Sequence, residues 1–474
     1  MTDAWKDLIG PEQWRSRETV WVENETEYSR RQVGELAAAV EDALALHGDV
    51  RVAALRAETR LGFFAGQLGA WRAGCVAVAD DGTLGPDALG HVRPDVTLAV
   101  RPGADPVVEE VRRVDRRLRA DRIPEDVVAV NFTSGSTGSR KAVAVTRGNL
   151  IATFADRGLD VKVEEGELTA GSFATPAYDG WWFDTWRTVA AGGRVVCLPH
   201  INEDVFAWPE LAEEYGIDRV LLPAAVVATV VGSVPECIAG IPWVFSGGEQ
   251  FQAATYRQAR EAGLTNRFVN LYGPTEATFA THRYDPPEAF AQATMPIGTP
   301  LDGCRQSLQD LDGYPDDVRH LVVSGPLVCA GYLEDGELTR PFPVLDGHAS
   351  YRTGDMVRED GDGNLVFAGR LDSEIKVNGK RVDAAALERE VASLPDVLEC
   401  RVAQDGRGTV AFVRHGGGAS AGEAVRADLA SAVRAFSPAI RLQLVDAFPT
   451  KPGGKIDFPS LMNSFHLSER VGEK

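Results

Sequence analysis

From residue 27 to about residue 300, strand-length apolar runs alternate with stretches whose apolar residues recur at helical spacing. Such alternation leaves few ways to fold: successive strands lie side by side with helices crossing between them, giving βαβ units and parallel sheets. Within residues 27–47, Val33, Leu36, Ala37, Val40 and Leu44 mark one helix face, and Ser29 is a suitable N-cap. Residues 68–80 read as a helix end, Gly74 and a buried strand. The longest apolar run, residues 220–234, contains Pro223 and Gly232 and falls short of the roughly 20 residues a bilayer span needs. It reads as a buried strand followed by a helix. From residue 300 to 370 the pattern changes to short strands and turns rich in Gly, Asp and Pro. From about residue 371 a small α+β unit follows, with residues 384–392 helical, 410–413 a strand and 422–436 helical.

A chain of 474 residues with 44% hydrophobic content can fill two or three conventional cores. Its formal charge of −20 argues against a nucleic-acid-binding role, which needs clustered Lys and Arg to neutralise phosphates. Six cysteines lie singly, with no C-x-x-C spacing, so structural zinc is not expected and a reducing, cytoplasmic setting is. Residues 1–14 carry charges and no apolar centre, unlike a secretory signal.

The stretch richest in chemistry is residues 130–143. An apolar run over 127–132 reads as a buried strand; it breaks into Thr133, Ser134, Gly135, Ser136, Thr137 and Gly138, with Lys141 at the exit and a second apolar run over 142–145. Glycines let the backbone approach an anion, hydroxyls and free N–H groups donate to its oxygens, and the lysine supplies full charge. By itself a Ser/Thr/Gly loop is equally well a plain turn. The common P-loop is excluded, because it needs wider glycine spacing and a hydroxyl directly after the lysine.

Three further stretches stand out: residues 270–278 (N-L-Y-G-P-T-E-A-T), 351–355 (Y-R-T-G-D) and 369–383, in which Ile375 and Val377 alternate with polar residues before Asn378-Gly379, a strong hairpin signal. Together with the loop they resemble the superfamily of ATP-dependent adenylate-forming enzymes: acyl-CoA ligases, luciferases and adenylation domains of nonribosomal peptide synthetases. The likeness points most closely to free-standing amino-acid adenylation enzymes. The loop matches the family's T-S-G-[ST]-T-G-x-P-K-G except at Arg140, where proline is usual, and Ala142, where glycine is usual. Asn378 replaces a usual arginine.

The resemblance implies a large N-terminal domain, residues 1–370, of packed βαβ sheets plus a small β-barrel-like part, and a mobile α+β C-terminal domain, residues 371–474. The smaller domain turns about Asp372, and Gly379 lines the tunnel by which a thiol arrives. ATP and Mg²⁺ are the implied cofactors. The phosphates fall to Thr133 through Gly138 and Lys141; Tyr272 offers an aromatic face to the adenine, bordered by the turn at Gly248 and Glu249; Asp355 accepts the ribose hydroxyls, with Arg370 in the nucleotide set. Thr275 donates to the α-phosphate and Glu276 holds the Mg²⁺, a hard cation suited to carboxylate and phosphate oxygens. Lys455, in the closing motif at residues 448–457, is the implied catalytic lysine.

In amino-acid-activating members the carboxylate of an aromatic-Asp pair holds the substrate's ammonium group. Asp179 after Tyr178 matches; read without the family, it is equally a surface or helix-terminal Asp, and Asp184 reads as a helix-surface charge. Carrying the pocket across gives Asp179, Gly180, Phe183, Leu221, Phe245, Gly247, Leu271, Phe279 and Ala280, beside Lys455. Apart from the two charges this lining is apolar, which favours a small or medium apolar amino acid, α or β. The implied acceptor is the phosphopantetheine thiol of a separate carrier protein, with room for a small accessory activator. Residues 416–420 are rejected as a carrier attachment site, because they precede the last elements of their domain. The alternatives are a CoA ligase, which shares every nucleotide motif, and a non-catalytic nucleotide-binding paralogue. No membrane or nucleic-acid partner is expected.

Overall fold

The computed structural model describes residues 2–472 except 83, 85, 104–106, 114–122, 134–139, 164–165, 312–313, 346, 372–373, 378–379, 406–407, 419–421 and 451–455. Among these, two large sheets carry the N-terminal part. The first orders its strands Thr299–Pro300, His282–Tyr284, Arg267–Tyr272, Trp243–Gly247, Arg219–Pro223, Thr169–Ser172, Arg194–Cys197, Thr19–Glu23 and Thr26–Ser29. The second runs Glu337–Pro341, Gly331–Glu334, Lys141–Thr146, Val127–Thr133, Val76–Ala79, Val52–Arg56, Val96–Arg101 and Val107–Arg113. The parallel pairing expected from the sequence holds in the middle of both. Their edges are antiparallel, as are Val127–Thr133 and Lys141–Thr146, which are adjacent in the chain and need no crossover.

The helix at Arg30–Ala45 begins where the sequence places it, with Ser29 accepting from the Gln32 N–H and Gln32 closing a reciprocal cap. Arg60–Arg72 leads into the buried strand Val76–Ala79, and Arg219–Pro223 leads into the helix Ala224–Ser233. Between the large sheets sits a core built on tryptophans. Trp181 and Trp186 both donate to the side-chain Oε1 of the buried Gln67, at 2.8 and 2.7 Å, and Trp71 donates to the Val128 backbone carbonyl at 2.9 Å. Large rings are thereby buried without stranding an N–H.

The small β part is a five-stranded antiparallel sheet that includes Arg305–Asp310, Arg319–Ser324, His348–Glu359 and Leu365–Arg370. The C-terminal part has its own three-stranded sheet, Val397–Asp405, Gly408–His415 and Ile440–Val445. The helices Ala384–Ala392 and Glu423–Phe436 cover it through Leu387, Val391, Leu429 and Val433. Strands Glu374–Val377 and Lys380–Asp383 pair as the hairpin expected there; its tip, residues 378–379, lies outside the described residues. No described helix is long and apolar enough to cross a membrane. All six cysteines are buried free thiols, and the described residues contain no cluster of three metal-ligating side chains.

Candidate active site

The strand Val127–Thr133 delivers the chain to the loop and Lys141–Thr146 takes it away, with Thr133 opposite Lys141. Asn131, fully buried on the first strand, accepts from the Trp182 indole at 2.6 Å. That bond fixes the segment carrying residues 178–187 against the strand Val127–Thr133. Lys141, exposed, holds its Nζ 5.1 Å from the centre of the Tyr332 ring. Tyr332 donates to Glu276 Oε1 at 2.5 Å, and its hydroxyl lies 3.4 Å from that of Tyr351. Burial and the neighbouring Glu276 both push the Tyr332 hydroxyl well above its usual range, so it stays a donor.

Four residues beyond Tyr351, Asp355 is buried, accepting from the Tyr272 hydroxyl and paired with the Arg370 guanidinium at 2.9 Å. On the other side, Thr275 donates to Asp179 Oδ2 at 2.5 Å. Residues predicted from separated stretches thus meet in three contact groups, Thr133–Lys141–Tyr332–Glu276, Tyr272–Asp355–Arg370 and Thr275–Asp179, which the short chain segments 272–276 and 351–355 connect. Ser134, Gly135, Ser136, Thr137, Gly138, Asp372, Gly379 and Lys455 lie outside the described residues.

The turn holding Thr275 and Glu276 is a single 3-10 turn, Thr275–Ala277, entered from Pro274. It stops because Thr278 has φ +69°, a conformation a β-branched residue rarely adopts, held there by a 2.6 Å bond from its Oγ1 to the Leu327 carbonyl. Gly273 precedes it with no room for a side chain: a Cβ would lie 2.5 Å from the Phe279 carbonyl oxygen and 2.7 Å from the Ala280 Cα. Gly248 stands exposed at φ +81°, with Glu249 half-buried beside it.

Phe183, Leu221, Phe245, Leu271, Phe279 and Ala280 come together in one apolar cluster. Phe183 lies 5.0 Å from Phe245 and 5.3 Å from Phe279, ring centre to ring centre. Gly180 abuts Leu221, and Gly247 abuts the Leu271 carbonyl. Against the cluster lies a residue that the sequence did not mark. Arg219, fully buried, stacks its guanidinium 3.9 Å from the Phe183 ring centre and donates to the Phe183 carbonyl and the Thr188 hydroxyl. Its Nε and Nη1 have no hydrogen-bond partner among the described residues, and burial with nearby Arg187 lowers its pKa to about 9. The available signal was an arginine two places before Leu221 in an apolar strand, on the same face by strand alternation. Nothing in the sequence alone marked Tyr332.

Asp184 corrects the reading of a helix-surface charge. It is 1% exposed and accepts from the Phe173 and Ala174 N–H groups, both at 3.1 Å. The turn around it, Trp182–Arg187, is π-helical and buried on every side, so no face of it was available for a solvated carboxylate.

The general model of the AMP-binding enzymes matches residues 12–333. The chain belongs to the AMP-binding enzyme family. This AMP-binding enzyme is 30% identical over 340 residues to the L-proline--[L-prolyl-carrier protein] ligase of Streptomyces coelicolor, covering 69% of this chain and 63% of that protein. It is 28% identical over 326 residues to malpibaldin synthetase of Mortierella alpina, covering 66% of this chain and 6% of that one. The chain thus spans under two thirds of either relative. The fold is shared with Klebsiella oxytoca NpsA, solved with 3-hydroxyanthranilyl-AMSN, at a TM-score of 0.74 and 19% identity over 98% of both chains.

Proposed function

We propose that this AMP-binding enzyme is an ATP-dependent ligase that activates an amino acid as its aminoacyl adenylate and passes it to the phosphopantetheine thiol of a carrier protein. The observation that carries this reading is Asp179, a carboxylate bonded to Thr275 next to Gly180 and the apolar cluster. A substrate ammonium group is the cation such a carboxylate suits. The name of the prolyl relative, a ligase acting on a carrier protein, supports the acceptor.

In the first step a substrate carboxylate oxygen bonds to the α-phosphorus of ATP as the bond to the β-phosphate oxygen breaks, releasing pyrophosphate. Two anions meet, so the demand is for positive charge and positioning. Lys141 and the loop serve the departing phosphates, Thr275 the α-phosphate, Tyr272 the adenine, and Asp355 with Arg370 the ribose. Lys455 serves the substrate carboxylate. In the second step the thiol sulfur bonds to the acyl carbon, AMP leaves, and the thiol proton is lost. Residues 1–370 and 371–474 form the two bodies that alternate between these steps about Asp372, with the thiol passing Gly379.

Glu276 fits Mg²⁺: it is a 7% exposed carboxylate on the same turn that carries Thr275, with one oxygen held by Tyr332. Bound there with the nucleotide, the ion supplies charge to the phosphate oxygens. Phe183 packs against Phe245 and Phe279, and an apolar lining of this kind suits a small or medium apolar side chain.

Amino-acid-dependent exchange of pyrophosphate into ATP tests the first step across a substrate panel. Exchange with small apolar amino acids is expected; a preference for Glu, Lys or an aryl acid without an amine overturns it. Product formation with free CoA, and none with a phosphopantetheinylated carrier, would identify a CoA ligase instead.

A further inference from the structure

Two cations leave the phosphate loop side by side, and each rests on a tyrosine. Lys141 lies over Tyr332, which holds Glu276. Arg140 turns the other way: its Nη1 donates to the Tyr178 hydroxyl at 3.1 Å, with the guanidinium carbon 5.9 Å from that ring's centre. Tyr178 directly precedes Asp179, and the turn between them is short and closed, with Tyr178 N–H donating to the Thr175 carbonyl and Trp182 N–H to the Asp179 carbonyl. The two arms meet again, because Asp179 bonds Thr275 and Thr275 adjoins Glu276. Arg140 is also the position at which this chain departs from the proline usual in its family. Proline has no side chain that could make the Tyr178 bond.

We propose that Arg140 is a positioning residue that, through Tyr178, sets the place of the Asp179 carboxylate and so ties amino-acid binding to the exit of the phosphate loop. Tyr178 is half-buried against the underside of the loop strands, packed on the cluster that contains Val130, Phe132 and Ala142. Its hydroxyl is the end that the Arg140 guanidinium reaches and holds. Holding that ring fixes the turn and with it the direction of Asp179. The proposal rests on Asp179 as the ammonium site of the function proposed above.

Arg140→Ala, Tyr178→Phe, the double variant and Arg140→Lys are compared with the unaltered enzyme by pyrophosphate exchange, measuring KM for the amino acid and for ATP separately. Loss of one charged hydrogen bond on a half-buried ring should raise KM for the amino acid about 3- to 10-fold. KM for ATP and kcat should move less than about twofold, the double variant should be no worse than either single one, and Arg140→Lys should recover part of the loss. A rise in KM for ATP with amino-acid KM unmoved would show that Arg140 serves the nucleotide directly and overturn the proposal. Additive effects in the double variant would overturn it too. Tyr178→Phe loses only an oxygen, so it separates a lost tether from a lost fold. If the unaltered enzyme exchanges pyrophosphate with no amino acid, the function itself fails; if it exchanges normally while all variants match it, the tether alone fails.

Discussion

Glu276 shows how one side chain can be asked for both charge and shape. Glu276→Gln keeps an oxygen for the Tyr332 hydroxyl but removes the charge. Pyrophosphate exchange is expected to fall on the order of 10²-fold while the thermal midpoint stays put. A midpoint that drops with activity would make Glu276 a structural residue. Asp184 gives a pH dependence. Burial pushes its carboxyl up from 3.8 to about 7, opposed by the Ala174 and Phe173 N–H groups and then by Arg219 and Arg60. The folded chain then keeps a proton that the unfolded chain releases, so stability falls as pH rises across that window, by up to ~1.4 kcal/mol per pH unit. Asp184→Asn keeps an acceptor and cannot ionise. Urea unfolding at pH 5 and pH 7 should show the parent losing more stability than the variant; equal losses would mean the carboxylate is charged throughout. Asp184 was misread because spacing gives a residue's place on a helix, and only the fold says whether any face of that helix meets water. Arg219 was missed for the related reason that its partner, the Phe183 ring, is distant in the chain.

At the scale of elements, the turn after Arg267–Tyr272 is the most exacting. Gly273→Ala would push a methyl into the backbone of Phe279, Ala280 and Thr281, at 2.5 to 2.9 Å, where no rotamer can relieve it. Exchange activity should be lost even where circular dichroism shows the sheets intact, because the displaced turn carries Thr275 and Glu276. An active Gly273→Ala protein would show that the turn yields. Most elements were legible: Ser29 and the helix it caps, the strand and helix of residues 220–234, and the C-terminal helix over 384–392 all rest on local spacing and capping. The antiparallel sheet edges were not, because pairing partners are chosen in space.

Across the whole molecule, all nine tryptophans lie between Trp5 and Trp243, while the C-terminal core is built from Val377 to Leu444 and its neighbours. Fluorescence therefore reports only the larger body. Leu387→Ala, at a fully buried site, should cost the smaller body about 2–5 kcal/mol and shift a far-ultraviolet transition without moving the fluorescence one. Joint movement of both would mean that the bodies unfold as one. Motif and periodicity determined the α/β class and the family, since these depend on short-range spacing and on chemistry each side chain carries by itself. Only the tertiary structure decided that Tyr332 would hold Glu276, that Arg140 would reach Tyr178, and that an arginine would lie under Phe183. Those contacts join residues that are neighbours only because burying the tryptophan core brings distant strands together, and no local pattern encodes them.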